Sequence, residues 1–298
     1  MPYLRLARLV LAAASAAVAA ACHDGPTRPD GRNAIVFGIN PQLSRNGCSE
    51  IWGMTADGGE SHQMVPSSVL MCSPPRRSRD GRRLVFGGFD AAARAFGIYV
   101  MNADGSNVTR LHTIGDLQAP TWAPRDTALT VYDGSTGGYA SIRLDGTGLT
   151  PFVGPGSPFT PSWSPDGTRL LYLLSEALWV VNADGTGKRE LIADAFYGRW
   201  SPNGRQIAFY GARTRSGVYL ANADGSGQRQ ITPIDANTQI SWSPDGGRIA
   251  FAPRRTALGI DDGGSEIVVM STAGGELTRL THVPTGQWAL HPEWAPVP

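Results

Sequence analysis

Short apolar runs alternate with turn residues along most of this chain. Arg83-Leu84-Val85-Phe86, Arg169-Leu170-Leu171-Tyr172-Leu173, Gln206-Ile207-Ala208-Phe209 and Arg248-Ile249-Ala250-Phe251 are too short for helices, and no segment sustains a helical period. They read as strands buried on at least one face. The turns before them carry Pro-Asp-Gly or Pro-Asn-Gly, in which Pro presets φ, Asp or Asn bonds back to the backbone and Gly accepts positive φ. A further strand follows at Ile98 to Met101, Leu178 to Val181 and Val218 to Ala221, each reaching an Asp-Gly hairpin signal. A last one ends near Leu111, Leu191, Ile231 or Leu280.

These pieces belong to one repeated unit. Trp163-Ser164-Pro165-Asp166-Gly167 recurs at Trp122, Trp200 and Trp242, with a degraded copy at Arg77-Ser78-Arg79-Asp80-Gly81. Val180-Val181-Asn182-Ala183-Asp184-Gly185 recurs at Val100 and at Leu220, and weaker versions occur at Ile51, Ser141 and Ile267. A repeat of this length is an architecture rather than a site. The two ends are complementary: Pro29-Asp30-Gly31 and the strand Ala34-Ile35-Val36-Phe37 lack a Trp before them, and Trp294-Ala295-Pro296 lacks a strand after it. From Pro29 to Pro296 is 267 residues, so six units of 44.5 fit, the length of a four-stranded blade. The expectation is an all-β, six-bladed propeller of four-stranded antiparallel blades. Its ring is closed by the N- and C-terminal strands in one blade, which leaves no open sheet edge.

Residues 29–298 then form the propeller, and the segment before them is expected to be processed. Arg5 and Arg8 precede an apolar, Ala-rich run from Leu9 to Ala21 that is too short to span a bilayer, so residues 1–21 read as an export signal. The sequence Ala19-Ala20-Ala21-Cys22 resembles a bacterial lipobox, which implies cleavage before Cys22 and lipid attachment to it, with residues 22–28 as a tether. The expected location is periplasmic or cell-surface, on an outer-membrane anchor. Cys48 and Cys72 remain, and in an exported protein they are candidates for a disulfide between the first two blades.

Composition removes several function classes. A formal charge of +1 gives no general attraction to nucleic acid, and none is expected as a partner. The repeated aspartates, among them Asp104, Asp145, Asp166, Asp184, Asp224 and Asp245, come singly with glycine in turns, whereas calcium needs several oxygens from one loop. The loop Asp261-Asp262-Gly263-Gly264-Ser265-Glu266 has more carboxylates and still reads as solvated. The five histidines form no His-x-x-x-His spacing, with His282 and His291 flanking the connection into the closing strand, so no metal or other cofactor is expected. Gly-x-Ser-x-Gly is absent, so a peptidase has no nucleophile. The chain is expected not to be an enzyme.

The paired Trp-Ser-Pro-Asp-Gly and Val-Asn-Ala-Asp-Gly-Thr-Gly motifs resemble the WD-repeat-like propeller of the TolB family over residues 29–298. That resemblance implies a cell-envelope protein that docks a partner over the channel mouth. Within such a propeller the uniform Asp-Gly turns share one face, and the variable connections share the other. Variable loops on a rigid scaffold are where recognition is expected. They carry Phe89, Arg94, Phe96, Tyr139, Arg213, Arg215, Arg254 and Arg255, and the blade-to-blade links add Phe196, Tyr197 and Trp288. Aromatic residues with arginine are the composition of binding hot spots. The expected function is non-enzymatic binding of a protein or peptide across this loop face. The alternatives are a carbohydrate-active lyase or hydrolase at the channel mouth and a scaffolding module.

Overall fold

The structure, a computed structural model, describes residues 34–40, 47–112, 117–156, 161–211, 216–234, 239–260 and 263–295. Six antiparallel sheets follow one another along the chain, as the repeat predicts, and we number them as blades I to VI. Blades III to VI each order their strands from the channel outward in chain order. Blade IV, for example, runs Ser162–Trp163, Arg169–Leu174, Ala177–Asn182 and Arg189–Ile192.

Blade I closes the ring. Its inner strand is the C-terminal Trp288–Trp294, paired with Ile35–Asn40, then Glu50–Met54 and His62–Gln63. Ile35 lies opposite Trp294 and Val36 opposite Glu293, and Ala295 N–H donates to Ala34 O at 2.8 Å. All six residues of Ile35–Asn40 are buried, because both faces of the strand meet a neighbouring blade.

The hydrophobic core is accordingly divided among the seams between blades. Leu171, Leu173, Leu178 and Val180 of blade IV pack on Trp200, Ile207 and Phe209 of blade V, and equivalent clusters fill the other seams, including that from VI to I. The repeated tryptophans belong to these seams. Trp122 Nε1 donates to Arg76 O at 2.9 Å and Trp242 Nε1 to Arg199 O at 3.1 Å, each reaching into the preceding blade. The guanidinium groups of Arg83, Arg169 and Arg248 lie 4.5, 4.6 and 5.0 Å from the ring centroids of Trp122, Trp200 and Trp294 in the next blade.

The Ser-Pro-Asp-Gly turns explain the repeated aspartates. Asp166 accepts from Ser164 Oγ at 2.5 Å, Thr168 N at 3.0 Å and Thr168 Oγ1 at 2.8 Å. Those donors hold its carboxyl down at about 2. Gly167 sits at φ 73°, and a Cβ there would come within 2.7 Å of Pro124 in the previous blade. Glycine is thus needed for conformation and for close approach alike.

Blade II departs from the pattern. Its inner strand is split into Val69–Met71 and Arg76–Arg77, which pair separately with Arg83–Asp90, and Arg77 stands where other blades have Trp. Cys72, between the two pieces, is disulfide-bonded to Cys48 of blade I with the Cα atoms 4.1 Å apart. Beside that bond Ser49 and Met71 exchange two backbone hydrogen bonds of 2.8 Å.

Candidate functional site

The channel is lined by the inner strands, and one position repeats around it: the residue immediately before each repeated Trp, or before Arg77 in blade II. In blade order from II to I these residues are Arg76, Thr121, Ser162, Arg199, Ser241 and Glu293, and all six line one cavity of about 440 Å³. The cavity opens among the turn residues Pro124, Pro165, Pro202 and Pro244, on the uniform-turn face.

Three members of this ring are inter-blade latches. Ser162 Oγ accepts from Trp200 N at 3.2 Å and Ser241 Oγ from Trp294 N at 2.8 Å. Glu293 takes the same role toward blade II, accepting from Arg77 N at 3.4 Å. Its carboxylate also receives Arg76 Nη1 at 3.1 Å and Arg199 Nη2 at 3.1 and 3.3 Å. Glu293 and Arg76 are almost fully buried, and Arg199 is 16% exposed at its side chain. Burial, joined by the charge of Arg199 and opposed by Glu293, pulls Arg76 down to about 9, and burial pulls Arg77 down to about 10. His291, three residues before Trp294 at φ 57°, is held at about 4 by burial and then by the charge of Arg76.

The opposite face carries the residues expected to bind a partner, and the structure divides them. Phe96 is 58% exposed and rests against Phe89 across the Arg83–Asp90/Ala95–Asn102 hairpin, with ring centroids 4.9 Å apart. Arg94, in the turn of that hairpin, is exposed at φ 49°. Arg254 is exposed and its guanidinium lies 5.9 Å from the Trp288 ring centroid. Phe196 and Tyr197 are half-buried neighbours at the start of Ala195–Trp200, with centroids 6.3 Å apart. Arg213 and Arg215 lie outside the described residues.

Two expectations are corrected. Tyr139 is fully buried, packed edge-on to Tyr172 with centroids 5.7 Å apart, and burial raises its hydroxyl pKa, so it belongs to the seam between blades III and IV. Arg255 is also buried. Its Nη2 pairs with Glu266 Oε1 at 2.7 Å, Glu266 also receives Arg279 at 2.7 Å and Thr281 Oγ1 at 2.5 Å, and Arg255 donates to Val283 O. Glu266 is therefore a buried counter-ion rather than part of a solvated acidic loop, while Asp261 and Asp262 lie outside the described residues. Among the described residues no group of three His, Cys, Asp or Glu side chains is arranged to hold a metal ion.

Comparison with known proteins agrees with this architecture. Residues 158–297 match the family described as the TolB beta propeller domain. The crystal structure of TolB from Acinetobacter baumannii aligns over 90% of this chain and 68% of its own, with a TM-score of 0.74 at 16% identity. This chain is a TolB-like propeller. A protein TolB homolog from Chlorobium luteolum is 29% identical over 143 residues, or 46% of this chain and 32% of that protein. The Tol-Pal system protein TolB from Anaeromyxobacter dehalogenans strain 2CP-C is 33% identical over 84 residues, or 26% of this chain and 19% of that protein. The aligned stretches thus span a third or less of those curated relatives. An oligogalacturonate lyase in complex with manganese shares the fold with a TM-score of 0.50 at 16% identity, over 84% of this chain and 73% of its own.

Sequence reasoning about this TolB-like propeller set aside the Trp strands because they repeat. The ring next to the tryptophans was missed for that reason. The signal was present one residue upstream, where Arg, Thr, Ser, Arg, Ser and Glu replace one another while Trp stays nearly constant.

Proposed function

We propose that this chain is a non-enzymatic component of the bacterial cell envelope that binds a protein or peptide partner across its variable-loop face. In this reading residues 1–21 are removed on export and lipid on Cys22 anchors the protein to the membrane. The observation that carries the reading is the Phe89–Phe96 pair, which leaves Phe96 58% exposed at a hairpin tip. Exposed aromatic surface beside Arg94 has the composition of an interface anchor. The Arg254–Trp288 pair adds a second aromatic and cationic point on the same face. Curated relatives named as Tol-Pal system protein TolB support the envelope assignment.

Site-specific photocrosslinking in the native envelope tests it. A photoreactive residue replacing Phe96 is expected to trap a discrete protein adduct, and the same residue replacing exposed Thr168 on the opposite face is expected to trap none. Adducts at Thr168 and none at Phe96 would overturn the assignment of the face.

A further inference from the structure

Among the described residues, arginines outnumber carboxylates in the lining of the channel cavity. Its lining contains Arg76, Arg77, Arg79, Arg125 and Arg199 against one carboxylate, Glu293. The aspartates of the neighbouring turns are occupied locally, as Asp80 is by Ser78 Oγ at 2.5 Å and Arg82 N at 3.0 Å. Asp126 accepts from Arg79 N at 2.8 Å. Arg79 and Arg125 are exposed at the mouth, whereas Arg76 is enclosed with a side chain 2% exposed.

Arg76 uses only part of its guanidinium. Nη1 bonds to Glu293, while Nε and Nη2 are buried with no hydrogen-bond partner among the described residues. Trp200 also lines the cavity, and its Nε1 is buried with no partner among the described residues, although the indoles of Trp122 and Trp242 both find carbonyls. A buried donor without an acceptor costs about 1–3 kcal/mol, more when it is charged, so native structures rarely leave several around one cavity. The depressed pKa of Arg76 points the same way, because an additional anion would relieve it.

We infer that this cavity is an anion site that takes a carboxylate, received by the free edge of Arg76 and by Arg199 and entering from the uniform-turn face. The site is separate from the loop-face surface proposed for the partner. A guanidinium is suited to this ligand because its planar N–H groups match two carboxylate oxygens. The volume of about 440 Å³ is ample for a small organic acid or the acidic end of a peptide. Glu293 sets orientation and selectivity by neutralising one arginine and leaving the net charge of the site positive.

The tryptophans around the cavity supply a fluorescence readout. Titration with succinate is expected to give a saturable change that its neutral diamide, succinamide, does not produce, and that weakens as salt is added. Arg76→Ser, which installs the ring residue of blade IV, is expected to weaken succinate at least tenfold while the chain stays folded, since Glu293 keeps Arg199. Glu293→Gln is expected to tighten it several-fold, an effect a purely structural ion pair would not produce. Should Arg76→Ser fail to fold, Arg199→Ser serves the same purpose. A peptide ending in Asp-Glu, compared with its Asn-Gln amide, identifies the source: tighter binding of the acidic peptide assigns the site to a protein terminus, and tighter binding of succinate assigns it to a small acid. Absence of saturation by both ligands, or undiminished affinity in the folded Arg76→Ser protein, would overturn the inference.

Discussion

Blade IV and blade II are built from the same repeat, and they differ where the chain is closest to the channel axis. Blade IV keeps Trp163 in its seam, bonded to Thr130 Oγ1 at 3.0 Å, and presents the small Ser162 to the channel. Blade II has Arg76 and Arg77 at those two positions, an inner strand in two pieces and a disulfide to blade I. A residue that must fill a seam is held to one shape, whereas the residue before it faces open space and is free to acquire chemistry. The departures therefore concentrate charge in the channel without disturbing the ring. The energetic consequence is a dependence of blade II on Glu293 that blade IV does not share.

The largest predicted effect tests that dependence. Glu293→Ala removes the counter-ion of buried Arg76 and partly buried Arg199 and is expected to lower stability by about 3–5 kcal/mol, measured by denaturant unfolding. Serine 162, the corresponding residue of blade IV, gives the contrast, since Ser162→Ala is expected to cost about 1 kcal/mol for the lost latch to Trp200. Trp163→Ala, which empties a seam, is expected to cost about 3 kcal/mol. Reduction of the Cys48–Cys72 bond, which closes a loop with a sequence separation of 24, is expected to cost about 3 kcal/mol, seen as a drop in the unfolding midpoint with reductant.

The pH dependence is predicted to be smaller and two-staged. His291 is held at about 4 in the fold against an ordinary value of about 6.5, so between those values the unfolded chain takes up a proton that the folded chain refuses. Stability accordingly falls by about 1–3 kcal/mol as pH drops from 6.5 to 4. His291→Asn, which tolerates the left-handed backbone, is expected to flatten that limb. Below pH 4 the turn carboxylates take over. Asp166, depressed to about 2 by the donors of its turn, contributes stability that is present above its unfolded value of about 3.9 and lost as pH falls toward 2. The His291→Asn protein is expected to keep this acid limb unchanged.

The fold was legible because each blade states it again. Turn residues, strand length and the complementary ends at Ile35 and Trp294 all pointed to one closed ring, and the register Ile35 to Trp294 follows from it. The site was less legible because sequence alone does not say which way a loop side chain turns. Arg255 and Arg254 are adjacent, but Arg255 folds back onto Glu266 eleven positions later while Arg254 stays outside. Tyr139 was placed on the loop face by its position near a hairpin tip, and the strand alternation sends it into the seam instead. The channel ring escaped notice because its members lie dozens of residues apart and converge only once the ring closes. Glu293 and Arg76, separated by 217 positions, are the extreme case.

The most direct measurement is a crystal structure grown or soaked with 4-bromobenzoate, whose bromine scatters anomalously and whose carboxylate is the predicted ligand group. The account predicts an anomalous peak inside the channel cavity, with the carboxylate against Arg76 and Arg199. An unoccupied cavity, or bromine found only on the loop face, would contradict it.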